Sequence, residues 1–212
     1  MSSGIPDQEA WKAWHPTELA RRLAGIDRPW CMVGGWALDL WHGRETREHH
    51  DLEFTLLRED FDRFREVLSG DGAETSPLIP QRFAFYTAID GVLTLLPDDQ
   101  PLPSAAAQVW CWDIAAEHWR VDMMIEPGTP DTWICKRDLA ITRPPQEIVG
   151  RSDEGVPYLG PSAILLLKAK HQRPKDEADF EMALPKLESS EKDWLRDCLR
   201  RLHPGHAWIG QL

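Results

Sequence analysis

The sequence of 212 residues contains no cysteine pair at CxxC spacing and no long apolar run. Its four cysteines are widely separated, and most have apolar or aromatic neighbours; they are Cys31, Cys111, Cys135 and Cys198. This pattern favours reduced cysteines in a hydrophobic core over a disulfide framework or a zinc site. No segment reaches the length of about 20 apolar residues that a membrane-spanning helix needs, and the N-terminal residues lack the core of a signal peptide. We therefore expect a cytoplasmic protein with no membrane partner.

An excess of basic residues is also missing. Lys and Arg together number 24 and Asp and Glu 35, which gives a net charge of -11. A protein that follows a nucleic-acid backbone needs a basic face, so nucleic acid is a disfavoured partner. An acidic cleft concentrates cationic ligands, although acidic charge by itself indicates only solubility.

Apolar periodicity predicts strands in the middle of the chain and helices at its end. The predicted strands cover residues 30–33, 51–57, 82–89, 108–114 and 119–125, with a further strand pair within 133–141 at the sheet edge. The predicted helices cover residues 16–24, 36–41, 58–68, 162–170, 175–184 and 188–202. This order is typical of an α+β fold, and we divide it into a main domain at residues 9–158 and a C-terminal helical subdomain at residues 159–212.

Two acids lie one residue apart in the strand predicted at residues 51–57. Asp51 and Glu53 fall on one face of that strand, with Cα atoms roughly 6.5 Å apart. Carboxylates on one face can share a divalent cation, and hard oxygen ligands suit Mg²⁺. The alternative is an exposed strand face with ordinary charge, which is the commoner meaning of an isolated Asp-x-Glu pair.

A third acid, Asp122, stands alone in an apolar strand. Because burying an unpaired carboxylate is unfavourable, Asp122 needs a partner. That partner is either a cation, such as Arg120, Arg47 or a lysine, or a metal shared with the two earlier acids. Three carboxylates on two strands can hold two cations about 3.5–4 Å apart.

A phosphate-binding turn is predicted at Gly34-Gly35, between a strand and a helix. The backbone N–H groups of a turn without side chains can approach a phosphate, helped by the helix dipole, although an ordinary strand-to-helix turn has the same residues. Arg47 either offsets phosphate charge or pairs with an acid, and Lys168 is placed to reach a triphosphate. A zinc site at residues 49–51 is disfavoured, since neighbouring residues of an extended chain point to opposite sides.

Three further polar residues are assigned structural roles. His49 is expected to orient the turn rather than to perform chemistry. Asp176 and Asp179 lie near the start of a predicted helix, where acids interact favourably with the helix dipole. Both can also pair with Arg173 or Lys175, so we interpret them as helix-capping and ion-pairing residues.

The segment at residues 33–54 resembles the signature of nucleotidyltransferases of the DNA polymerase β superfamily. That signature is an apolar residue followed by Gly-Gly or Gly-Ser, a helical spacer, an Asp-x-Asp/Glu strand and a later strand with one Asp between apolar residues. Residues 33–35, 51–54 and 121–123 match it in order. Within the superfamily, residues 34–49 resemble the aminoglycoside-2''-adenylyltransferase and lincosamide nucleotidyltransferase branch, as do the segments 168–180 and 204–208.

The resemblance implies a minimal nucleotidyltransferase fold, in which a mixed β-sheet is flanked by helices and residues 9–158 form the catalytic domain. It implies that three acids bind two Mg²⁺ ions and that the Gly-Gly turn holds the terminal phosphates of a nucleoside triphosphate. The implied catalytic and metal-binding residues are Asp51, Glu53 and Asp122. The implied nucleotide-binding residues are Gly34, Gly35, Trp36, Arg47, His49 and Lys168. Glu53 stands where antibiotic-modifying members usually carry Asp.

The implied reaction moves a nucleoside monophosphate, AMP from ATP, to a hydroxyl of a small cationic molecule such as an aminoglycoside antibiotic. Asp122 serves as a metal ligand and as the base for the acceptor hydroxyl. Two alternatives stay open. One is a toxin-type nucleotidyltransferase that acts on tRNA through a local basic patch at residues 168–175. The other is a non-catalytic nucleotide-binding module, against which the three acids argue. A monomer and a homodimer are both compatible with the sequence.

Overall fold

The computed structural model describes residues 4–69 and 83–212. Residues 1–3 and 70–82 lie outside these ranges. The second gap includes Arg82, the first residue of the strand predicted at residues 82–89. The helices are α1 (Pro16–Arg22), α2 (Gly34–His42), α3 (Phe61–Ser69), α4 (Pro145–Ile148), α5 (Pro161–Lys168), α6 (Pro174–Ala183) and α7 (Ser189–Leu202). The strands are β1 (Trp30–Met32), β2 (Glu53–Leu57), β3 (Phe83–Ile89), β4 (Val92–Leu96), β5 (Gln108–Asp113), β6 (His118–Glu126), β7 (Trp133–Ile134), β8 (Thr142–Arg143), β9 (Val149–Arg151) and β10 (Pro157–Leu159).

One mixed sheet organises the described part of the chain, with strand order β4-β3-β5-β6-β2-β1-β10-β9. β2 runs parallel to β6 and β1 runs parallel to β10, whereas the other neighbours are antiparallel. Helices flank this sheet, so the predicted α+β class is confirmed. A strand pair was predicted at the edge of this sheet, and that position is wrong. β7 and β8 pair only with each other and form a separate two-stranded sheet.

Periodicity predicted the helices of seven residues or more and most of the longer strands, but it did not predict β4, α4, β9 or β10. β9 and β10 have three residues each, too few for a repeating pattern. They are joined by a turn at Gly155, whose φ of 80° favours glycine. β10 lies beside β1 inside the sheet, and residues 158 and 159 fall within it. The division of the chain between these two residues stays a prediction.

Two apolar clusters cover the sheet. The first joins α1 and α3 to the apolar face of β2 and includes Leu19, Phe54, Phe61 and Phe64. The second surrounds α5 and includes Ala163, Leu165, Phe180, Leu199 and Trp208. The four cysteines are buried, as the sequence predicted. Among the helices of the described ranges, none combines the length and apolar character needed to cross a membrane.

The β5–β6 hairpin changes register halfway along. Cys111 lies opposite Val121, but the next residue, Trp112, lies opposite Trp119. Arg120 is therefore an extra residue on β6, which is the defining feature of a β-bulge. The bulge separates the tip of the hairpin from the part of β6 that contacts β2.

Candidate active site

Glu53 and Asp122 face each other across two parallel strands. Glu53 is the first residue of β2, and its partner in the register of β6 is Asp122. The backbone N–H of Asp122 donates to the Leu52 carbonyl at 2.8 Å, which fixes this register. Partners on neighbouring strands point to the same face and are separated by about 4.8 Å. The sheet therefore holds two carboxylates side by side.

Both carboxyl groups resist ionisation. Asp122 is only 4% exposed, and burial together with the charge of Glu53 raises its pKa well above the ordinary value. Burial and the charge of Asp51 likewise raise the pKa of Glu53. One oxygen of Asp122, Oδ2, accepts a hydrogen bond from Gln108 Nε2, whereas Oδ1 is buried with no hydrogen-bond partner in the described part of the protein. The pair therefore places two acids that repel each other's ionised form next to an unsatisfied acceptor.

The Gly-Gly turn packs directly against these side chains. Gly34 begins α2 with φ of 67°, in the left-handed region that glycine adopts without strain. A Cβ at Gly34 would overlap the Glu53 carboxylate, and a Cβ at Gly35 would overlap Arg47 Nη2 and the His49 ring. Two side-chain-free positions are thus needed for the acid and the turn to lie in contact. The first N–H groups of α2 have no carbonyl partner within the helix, and they lie at this point, as a phosphate site requires.

Asp51 is placed differently from the two buried acids. It precedes β2 and is exposed, so the predicted strand begins two residues too early. Its backbone carbonyl accepts a hydrogen bond from Trp36 Nε1 at 3.1 Å, and the Trp36 ring lies against His49 with centroids 4.5 Å apart. The charge of Asp51 raises the pKa of Glu53 and of Asp122, which puts its carboxyl group in their electrostatic range.

The cations that the sequence offered as partners for Asp122 are engaged elsewhere. Arg120 pairs with Asp113 through Nη2 at 2.9 Å. Arg47 pairs with Asp179 through Nε at 3.3 Å. Lys136 lowers the pKa of Asp122 by its charge, without forming an ion pair with it. Within the described residues, no cation therefore neutralises Asp122.

Lys168 belongs to a buried network of ion pairs on the helical side of the site. Its Nζ lies 2.8 Å from Asp179 Oδ2 and 3.2 Å from Asp176 Oδ1. Arg173 adds a bond from Nε to Asp176 Oδ2 at 2.8 Å, and its backbone N–H donates to the same carboxylate, which caps α6. The capping and pairing predicted for Asp176 are confirmed. The partners predicted for Asp179 are wrong, because it pairs with Lys168 and Arg47 instead of Arg173 or Lys175. Lys168 is only 8% exposed, but its charge still lowers the pKa of Glu53.

A second buried chain of bonds supports the turn from within. Asp39 accepts from His49 Nε2 at 2.6 Å and from the Thr46 hydroxyl, and both the Asp39 and His49 side chains are almost fully buried. Arg47 Nη1 lies 3.1 Å from His49 Nδ1. Because an arginine nitrogen only donates, Nδ1 accepts and the proton is on Nε2. His49 therefore links Asp39 to Arg47, in line with its predicted orienting role.

Sequence reasoning missed three residues of this region: Gln108, Asp39 and Lys136. Gln108 and Lys136 reach the acids from elements remote in sequence, and no local motif marks them. Asp39 had a visible signal, since it lies one helical turn after the Gly-Gly pair in an otherwise apolar helix. A buried acid in such a position needs a partner, as the sequence analysis argued for Asp122.

The residues present fit a divalent cation in part. No group of three or more His, Cys, Asp or Glu side chains within residues 4–69 and 83–212 is arranged so as to hold a metal ion. Glu53 and Asp122 nevertheless offer hard oxygen donors, which Mg²⁺ prefers, and Asp122 Oδ1 is free. A cation at this pair would offset the burial and the repulsion between acids that together raise both pKa values. The role of Asp51 as the third ligand stays a prediction.

Comparison with known proteins identifies the class. The described chain is similar to a solution structure of the antibiotic-resistance factor ANT(2'')-Ia, with 18% identity, a TM-score of 0.50, and coverage of 88% of this chain and 91% of that chain. It is also similar to a crystal structure of ANT(2'')-Ia in complex with adenylyl-2''-tobramycin, with 16% identity, a TM-score of 0.51, and coverage of 88% and 97%. At these identities the likeness shows the fold, which is that of a nucleotidyltransferase.

The family follows from the sequence itself. The family model for aminoglycoside-2''-adenylyltransferase matches residues 17–123, half of the chain, and this span includes the turn and all three acids. The chain belongs to the aminoglycoside-2''-adenylyltransferase family, and the protein is a nucleotidyltransferase. The resemblance read from the sequence is confirmed. No curated protein sequence matches the chain.

Proposed function

We propose that the protein transfers AMP from ATP to a hydroxyl group of an aminoglycoside in a Mg²⁺-dependent reaction. The observation that carries the proposal is the register of β2 and β6, which sets Glu53 beside Asp122 and against Gly34. Family membership supports the adenylyl transfer and the aminoglycoside acceptor. In the relative's crystal structure the bound ligand is adenylyl-2''-tobramycin, which is the kind of product this proposal expects.

Each residue then has a defined task. Glu53, Asp122 and Asp51 would hold Mg²⁺, which when bound would supply positive charge that stabilises the transition state. The N–H groups at Gly34 and Gly35 bind the terminal phosphates. The Asp122 carboxylate takes the proton of the acceptor hydroxyl, whose oxygen forms a bond to the α-phosphorus while the bond to pyrophosphate breaks.

The remaining residues assist from behind the turn. Arg47 and Lys168 are held in ion pairs, so we assign them a share of the positive field at the pyrophosphate rather than direct contacts. Trp36 and His49 fix the segment that carries Asp51. The acidic net charge of -11 suits a cationic acceptor, which an acidic cleft attracts.

Incubation of the purified protein with Mg²⁺, labelled ATP and an aminoglycoside panel tests the proposal. We expect label on at least one aminoglycoside, loss of transfer with EDTA, and loss in Asp122→Asn. Asp197→Asn, an exposed acid on α7, is the matched control and should retain activity. Transfer to bulk tRNA with none to any aminoglycoside would assign the chain to the toxin-type alternative. The absence of Mg²⁺-dependent ATP binding would favour a non-catalytic module.

A further inference from the structure

A cavity of about 510 Å³ opens at the opposite end of the acid-bearing strands, where β2 and β6 finish and β1 begins. Its walls are mostly apolar, with Leu23 and Ile26 on one side and Trp30 and Trp133 among the aromatic contributors. Thr55, which lies two residues after Glu53 on the same face of β2, also lines it. The proposed reaction makes no use of this cavity.

One buried carboxylate lines the cavity. Glu126 is the last residue of β6, is 8% exposed, and lies opposite Leu57 in the strand register. In the described part of the molecule no group donates a hydrogen bond to it, and its nearest cation, Lys136 Nζ, is 3.8 Å away. Burial raises the pKa of Glu126, and the charge of Lys136 offsets this only in part. A carboxylate in this state gains most from a ligand that brings its own positive charge.

The other charged groups that line the cavity do not balance Glu126. Arg28 pairs with Asp60 at 3.1 Å, and Arg151 donates to the Gly155 carbonyl at 3.0 Å. Glu154, the second lining acid, is exposed. The buried charge of the cavity is therefore negative, while its walls are apolar.

We propose that this cavity is a binding site for a protonated organic amine, whose ammonium group pairs with the Glu126 carboxylate and whose apolar part lies against Trp30 and Leu57. The site is on the same sheet face as Asp122, four residues further along β6, which corresponds to roughly 13 Å. Two kinds of molecule could supply this amine. It is either an ammonium group of the acceptor, in which case the site extends the proposed function, or a separate molecule.

Calorimetric titration with benzylamine tests the site in the intact chain, with benzyl alcohol as the uncharged probe of the same shape. We expect benzylamine to bind at least about tenfold more tightly than benzyl alcohol, as a charge-assisted hydrogen bond requires. Glu126→Gln should remove that preference. Glu154→Gln, a lining but exposed acid, should keep it. Lys136→Met removes the competing cation and should tighten benzylamine binding severalfold, which a purely structural role of Glu126 would not produce.

Equal binding of both probes, or an unchanged preference in Glu126→Gln, would overturn the proposal. If Glu126→Gln does not fold, as judged by thermal unfolding, Lys136→Met decides alone, and weaker or unchanged binding in that variant rejects the site. Titrating tobramycin against bound benzylamine distinguishes the two sources: displacement assigns the site to an aminoglycoside acceptor, and simultaneous binding assigns it to a separate amine. Because these titrations need no turnover, their failure is separable from failure of AMP transfer.

Discussion

Buried acids occur on both sides of the Gly-Gly turn, but only one side provides cations for them. On the helical side, Asp176 and Asp179 share Lys168 and have additional arginine partners. On the sheet side, Glu53 and Asp122 lie next to each other with no ion pair in the described residues.

This contrast separates acids with structural ion-pair partners from the acids that we propose to be catalytic. A buried carboxylate that is fully paired contributes to folding, and removing its partner leaves an uncompensated charge. A buried carboxylate that repels its neighbour weakens the fold and persists where a ligand supplies the missing charge. The following predictions test this distinction, beginning with the largest expected effect.

Asp122→Asn should lower the rate of AMP transfer by about 10²–10⁴-fold, because it removes the proposed base and one metal ligand. Stability should stay equal or rise, since the neutral amide ends the repulsion with Glu53. A transfer assay and thermal unfolding check both halves. Asp176→Asn is the same chemical change on the paired side and should instead lower stability. If the two variants lose stability equally, the contrast fails.

Lys168→Met should destabilise the protein by about 3–5 kcal/mol, because it leaves Asp176 and Asp179 buried with fewer cations. Urea denaturation gives the free energy of unfolding. Lys170→Met, an exposed lysine two residues away, is the control and should change stability by less than about 0.5 kcal/mol. Similar results for both lysines would show that the network is not a structural requirement.

Gly34→Ala should lower the transfer rate on the order of 100-fold, since a Cβ there displaces the Glu53 carboxylate. Gly43→Ala provides a close match in backbone φ, which is 70° against 67° at Gly34, yet a Cβ there meets nothing within 4 Å. Both variants should lose similar stability in thermal unfolding. An equal loss of activity in both would mean that strain, and not the displaced acid, matters.

Asp39→Asn should cost about 1–3 kcal/mol of stability, because the buried bonds to His49 and Thr46 lose their charged acceptor. It should also raise the KM for ATP more than it lowers kcat, since Arg47 and the turn lose support. Steady-state kinetics and thermal unfolding measure these effects. Asp62→Asn, an exposed acid paired with Arg65, is the control. An unchanged KM would remove Asp39 from nucleotide positioning.

Lowering the pH should reduce the free energy of unfolding by a smaller amount, through the ion-paired carboxylate of Asp176. Burial alone would raise the pKa of Asp176, but bonds and charges from Arg173 and Lys168 outweigh it and lower the pKa. A lowered folded-state pKa means that stability from this group is full above the unfolded value, about 3.9, and is lost as pH falls through the folded value. When the free energy of unfolding is measured as a function of pH, Asp176→Asn should make its decrease at acid pH less steep. A decrease of unchanged slope would show that other acids cause it.

Local pattern predicted much of this arrangement. Alternation along β2 correctly set Glu53 apart from the buried Leu52 and Phe54. An acid in an apolar strand marked Asp122 as a residue that needs a partner, and its role as a metal ligand and base stays a prediction. The parts that escaped prediction depend on long-range contacts. Gln108 meets Asp122 only through the hairpin register, and the ion pairs of Lys168 depend on how α5 packs on α6.

The bulge at Arg120 has a consequence for how this protein can change through evolution. A slip of one residue in strand pairing turns every side chain to the other face, so Asp122 stays beside Glu53 only while its register with β2 is preserved. The bulge absorbs one residue between the hairpin tip and Asp122. The turn at residues 114–117 therefore lies on the far side of the bulge from the pairing of β6 with β2, and we expect changes of length there to leave Asp122 opposite its partner.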